Sequence, residues 1–130
     1  MTSLRTVSFD DAQILQTIAN ASDGELDLLD FGLIGFDVAG VVRAYNAYES
    51  KCAGLSPERV KNHPLFTVVA PCMNNFLVAQ RFEDAASAGA PLDVKLDYVL
   101  TLRMKPVKVK LRLLFEPDLH LRYVLVLRRD

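Results

Sequence analysis

The last third of the chain constrains the fold most. From Val94 the hydrophobic period is two: Leu96, Tyr98, Leu100, Leu102 and Met104 alternate with Lys95, Asp97, Val99, Thr101 and Arg103. After Lys105-Pro106 the pattern resumes as Val107-Lys108-Val109-Lys110-Leu111-Arg112-Leu113. Beyond the Glu116-Pro117-Asp118 turn a third run spans Leu121 to Leu127. Strict alternation sends successive side chains to opposite faces of a sheet, whereas a helix repeats every 3.6 residues. Three such runs joined by turn residues predict an antiparallel meander with one polar face. Lys108, Lys110 and Arg112 fall on that face and are read as solvated surface. A nucleic-acid stripe would interleave exposed aromatics with the charges, and none are interleaved here.

The upstream half is mixed. Residues 9–20 carry Ile14, Leu15, Ile18 and Ala19 at helical spacing, with Asp10 and Asp11 suited to a helix start. A second helical piece, Glu25 to Leu29, follows the Ser22-Asp23-Gly24 turn. Neither buries its apolar stripe alone, so residues 1–29 are expected to form a helical cap on a core of residues 30–130, within a single domain. Phe31–Asp37 and Val41–Tyr45 read as a hairpin around Val38-Ala39-Gly40. Asn46–Gly54 can turn helically, Ser56-Pro57 opens a short helix, and His63-Pro64 ends it. Asn75–Ala88 is the best helical pattern, with Phe76, Ala79, Phe82 and Ala86 on one face and Gly89-Ala90-Pro91 as its stop. The sum is an α+β chain: five antiparallel strands with helices gathered on one side.

Bulk properties exclude several classes. At 130 residues the chain is one domain, with 51% hydrophobic residues, 24% charged and a net charge of −1. That charge gives no electrostatic reason to expect nucleic acid or an anionic membrane. No secretory leader is visible and no apolar run approaches the ~20 residues of a membrane helix. Two cysteines, Cys52 and Cys72, make no disulfide scaffold and suit a reducing compartment, so a cytoplasmic location is expected. His63 and His120 lie far apart without clustered acids or thiols, which argues against a metal site. There is no Gly-rich phosphate loop and no nucleophile elbow.

What remains is Cys72, placed after Pro71 at the end of the run Phe66-Thr67-Val68-Val69-Ala70. Proline fixes its own dihedral, so the thiol is presented from a stiff, irregular segment. It is a buried filler, a nucleophile or a covalent anchor. Tyr45 and Glu49, four residues apart, share a face if the chain turns helically after the strand. Together they can hydrogen-bond one oxyanion, provided the glutamate is protonated, which burial favours.

These residues occur in words that resemble the photoactive yellow protein family, blue-light sensors of the PAS superfamily. The matching positions are Leu26, Asp27, Leu29, Phe31, Gly32 and Ile34, then Tyr45-Asn46-Ala47 with Glu49, then Val69-Ala70-Pro71-Cys72. Phe82, Tyr98 and the stretch from Met104 to Lys110 continue the match. A two-strand opening, helical middle and three-strand close also resembles a PAS layout more than a ferredoxin-like one. The resemblance implies p-coumaric acid held on Cys72 as a thioester, with its phenolate hydrogen-bonded by Tyr45 and by protonated Glu49. Ala53, Leu55, Phe66, Tyr98, Leu100 and Met104 would line the pocket. It further implies light-driven isomerisation, proton transfer from Glu49 and release of the N-terminal cap toward a downstream signalling protein.

The chain departs from the family at four places. Ala53 stands for a threonine that buttresses the tyrosine, and Leu55 for an arginine that shields the ring. Leu100 replaces a phenylalanine, and Met73 follows the cysteine. Two alternatives therefore accompany the first reading. One is a PAS module that senses another ligand or dimerises; the other is a thiol enzyme or redox switch with Cys52 as resolving thiol.

Overall fold

A computed structural model describes residues 7–101 and 106–128. Five strands, β1 (Gly32–Phe36), β2 (Val42–Tyr45), β3 (Leu92–Leu100), β4 (Val107–Phe115) and β5 (Arg122–Arg128), form one sheet in the order β2-β1-β5-β4-β3. Every pairing is antiparallel, and the meander β3-β4-β5 takes the form that its alternation predicts. β5 then docks on β1, with Ile34 opposite Val124, so the first and last strands are neighbours within the sheet.

Five short helices fill the rest: α1 (Ile14–Ala19), α2 (Asp23–Leu26), α3 (Ala47–Ala53), α4 (Pro57–Val60) and α5 (Ala79–Ala88). The first two are shorter than the expected spans. α2 begins earlier than Glu25 because Ser22 and Glu25 close a reciprocal capping box. α5 starts at Ala79, not Asn75. The Asn75 side chain accepts hydrogen bonds from the backbone N–H groups of Leu77 and Val78, holding a turn where helix was expected. Phe76 is consequently 84% exposed rather than part of the helix's apolar face. Gly89, at φ 63°, ends the helix in the left-handed conformation that its sequence context predicts.

The sheet has a hydrophobic cluster on each side. Ile34, Tyr45, Val60, Met73, Phe82, Leu100, Leu111 and Val124 belong to the larger, under α3–α5. Val7, Phe9, Ile14, Ile18, Leu26 and Leu29 pack with Phe31, Leu33, Leu114 and Leu125 to form the second. The N-terminal segment therefore covers the sheet face opposite α3–α5. This overturns one expectation. Arg112 is not on a solvated face but is 3% exposed beneath that segment. It forks onto Asp93 (2.8 Å to each oxygen) and donates to the carbonyls of Phe9 and Asp11. Lys110 is half-buried and Lys108 is exposed.

Candidate functional site

The site is built around the passage from β2 to α3. β2 ends at Tyr45, and Asn46 turns the chain directly into helix as its N-cap. The Asn46 side-chain oxygen accepts from the backbone N–H of Glu49 at 3.1 Å and of Leu33 at 3.0 Å. Its amide nitrogen donates to the carbonyls of Leu26 and Phe31. All four positions of this buried amide's capacity are used, tying α3 to β1 and to the end of α2. The Ala47 N–H adds a bond to Asp27. With the turn fixed, Tyr45 and Glu49 both point inward, at 5% and 1% exposure.

Glu49 does not meet the arrangement expected for a proton donor. Its two oxygens accept from Arg128 Nη1 and Nη2 at 2.6 and 2.9 Å. Both oxygens are thereby engaged as acceptors. Burial supplies the physical reason: a charge taken out of water needs a partner, and a bidentate guanidinium is the strongest one the chain offers. Burial works against the Arg128 charge, but the hydrogen bonds and charge of Glu49 outweigh it and raise its pKa above the ordinary arginine value. Gly32 makes room. A Cβ there would overlap Glu49 Oε1, so only glycine lets the carboxylate lie against β1. Burial, reinforced by the Glu49 charge and partly offset by Arg128, pushes the Tyr45 phenol above its usual range. Tyr45 is thus a hydroxyl donor throughout the neutral range.

The thiol end lies across the same core. Leu65–Val69 forms one π-helical turn and Pro71–Met73 one 3₁₀ turn, with Ala70 between them at φ −139°. Cys72 is half-buried and packs against the cluster that contains Tyr45, Met73 and Leu100. Its carbonyl accepts hydrogen bonds from the Tyr98 hydroxyl and the Asn75 side chain, which pin this segment to β3. Leu55, Phe66 and Tyr98 pack against that cluster as well, Phe66 edge-on to Phe36 with ring centroids 5.4 Å apart. Ala53 is buried at the end of α3. Met104 lies outside the described residues. A groove of about 770 Å³ between Leu77 and the Lys108–Lys110 stretch touches Tyr98 among the candidate residues.

Sequence reasoning gave no role to Arg128, Asn46 or Asn75. Gly32 and Asn46 were available signals, both lying within the matching words. Arg128 had none, since 79 residues separate it from Glu49. Among the described residues no group of three or more potential metal ligands is assembled. None of the described helices is long and apolar enough to cross a membrane.

No family model matches the chain. Curated relatives do. It is 36% identical over 110 residues to photoactive yellow protein of Halochromatium salexigens and 32% identical over 110 residues to that of Rhodothalassium salexigens. Each match spans 85% of this chain and 87% of the relative. Among solved structures, the photoactive yellow protein domain of the sensor histidine kinase Ppr from Rhodospirillum centenum superposes with a TM-score of 0.78 at 36% identity. That superposition covers 88% of this chain and 98% of the domain. The five-stranded antiparallel α+β sheet agrees with these matches, and the chain belongs to the photoactive yellow protein family.

Proposed function

We infer that the chain is a blue-light photoreceptor that carries p-coumaric acid as a thioester on Cys72. The observation that supports this most is the placement of Cys72 and Tyr45 in one cluster, with Glu49 close enough for its charge to act on the Tyr45 phenol. When bound, the group would supply a light-isomerisable double bond between an acyl end and a phenolic oxygen.

The residues fit both ends of such a ligand. Cys72 offers a partly accessible thiol on a segment held by Pro71, Tyr98 and Asn75, so the anchor stays still while the other end moves. Tyr45 donates one hydrogen bond to a phenolic oxygen, and Glu49 is the second partner. To act as a donor, Glu49 would exchange Arg128 for that oxygen and carry a proton. Leu55, Phe66, Tyr98 and Leu100, with Ala53, would complete the lining.

Glu49 also has a short route to the N-terminal segment. Its backbone N–H is held by Asn46, whose amide grips the Leu26 carbonyl. A change of charge on Glu49 disturbs the start of α3 and with it the hold on residues 1–29, which would be the released cap. The exposed sheet face is then what a downstream signalling protein reads.

Reconstitution with activated p-coumaric acid tests the reading. The intact mass is expected to rise by one coumaroyl group in the native chain but not in Cys72→Ser, and the yellow product to bleach in blue light. A mass that stays unchanged under conditions that load one of the two curated relatives would sink it.

A further inference from the structure

We propose that Arg128 is a positioning residue that sets the ionisation state of Glu49, and through it where the proton shared between Glu49 and a bound phenol resides. The first half concerns this chain alone; the second rests on the ligand reading above.

The argument starts from placement. Arg128 ends β5 on the same side as Val124 and Val126, which belong to the main core, so its side chain runs inward under α3. Its side chain is 14% exposed and that of Glu49 2%, so water screens the pair poorly. Other titratable groups around it are Tyr45 on β2, and Tyr48 and Cys52 on α3, both of which act on Arg128 electrostatically. Asp27 lies at the α3 N-terminus, and Lys108 and Lys110 flank Val109, the residue paired with Arg128 on β4. Arg128 bonds both Glu49 oxygens.

Consider one proton moving from Glu49 to a phenolate: a carboxylic O–H breaks, a phenolic O–H forms, and no other reactant takes part. Without Arg128 the product is a buried carboxylate that has lost this bidentate partner, and burial opposes it. With Arg128 present the carboxylate falls into a ready fork. The guanidinium therefore favours the state with the proton on the phenol, in darkness and after illumination alike. A fraction of the resting protein would hold a neutral phenol, and the illuminated state would persist longer. Leu55 leaves its own position without a guanidinium, and β5 supplies one to Glu49.

Two readouts test this. In the unloaded protein, carbon-13-labelled glutamate reports the Glu49 carboxyl as pH is varied, in the native chain, Arg128→Gln and Arg128→Lys. The proton affinity of Glu49 is expected to rise at least about tenfold in Arg128→Gln, with Arg128→Lys intermediate because it keeps the charge and loses the fork. Should the glutamine variant not fold, the lysine variant decides by the same direction of shift. Coinciding midpoints overturn the proposal whatever the ligand. After loading, the ratio of ionised to neutral phenol absorption at fixed pH should rise about tenfold in Arg128→Gln, with faster return from the illuminated state. An unchanged ratio and recovery would overturn it too. If Cys72 never loads, the ligand reading fails, and the carbon-13 titration alone still decides whether Arg128 controls Glu49.

Discussion

Two arginines on neighbouring strands each bond both oxygens of a carboxylate, Arg112 through Nε and Nη2 and Arg128 through Nη1 and Nη2, in different surroundings. Arg112 on β4 is 3% exposed, but its partner Asp93 is half in water, and the guanidinium has two further acceptors in the carbonyls of Phe9 and Asp11. Its Nη1 holds the N-terminal segment on the sheet, while Nε and Nη2 tie it to Asp93 on β3. Arg128 on β5 has a partner that is wholly buried and stands beside a tyrosine phenol. The first arrangement leaves its carboxylate solvated at one side and has one low-energy state. The second confines both charges, so protonating Glu49 or bringing in a competing oxyanion changes the balance. The number of bonds does not separate structural from functional arginine here; the surroundings of the carboxylate do.

The comparison breaks most visibly at Arg112. Arg112→Ala removes a buried fork and strands two carbonyls, so a loss of about 3 kcal/mol is expected in denaturant unfolding, with residues 7–29 becoming sensitive to protease first. Arg128→Gln should cost far less, because Glu49 can take up a proton where Asp93 simply loses its tether. Equal costs for the two substitutions would remove the distinction.

Acid sharpens the same contrast. The Arg112 hydrogen bonds, with the charges of Arg112 and Lys95, hold the Asp93 pKa below the ordinary carboxylate value against the effect of burial. A depressed carboxylate contributes stability that is present above the unfolded-state pKa and lost as pH falls through the lower folded value. Hydrogen exchange of the N-terminal segment should therefore accelerate as pH drops through that acid window, and Asp93→Asn should remove most of the dependence. A segment whose exchange ignores pH in that window, after correction for intrinsic rates, would contradict the latch.

The smallest effect belongs to the thiol end. Tyr98→Phe deletes one of two donors to the Cys72 carbonyl, worth about 1 kcal/mol, and leaves Asn75 in place. Alkylation of Cys72 should become moderately faster with little change in the unfolding midpoint; an unaltered rate would mean Tyr98 does not restrain the segment.

How much of this was legible in the sequence follows from the range of the interactions. The meander was readable because alternation is local and each strand carries it. The two ends of the proposed site stood out as words, Tyr45-Asn46-Ala47 with Glu49 and Ala70-Pro71-Cys72. The start of α5 was misplaced because one side chain, Asn75, satisfies two backbone donors and outweighs the periodicity of Phe76. Arg112 was read as surface because alternation tells which face a residue takes, not what covers that face. Arg128 was silent for a stronger reason: Glu49 lies 79 residues away, and only the docking of β5 on β1 brings the two together.

The central claim is that Cys72 and the Tyr45–Glu49 pair are the two ends of one ligand site. The visible absorption spectrum of the loaded protein tests it most directly, compared between the native chain and Glu49→Gln. The substitution keeps a hydrogen bond while removing the acid, so the absorption of a ligand anchored at Cys72 is expected to move to longer wavelength. Superimposable spectra from two fully loaded samples would mean that Glu49 does not touch the ligand, and would contradict the account.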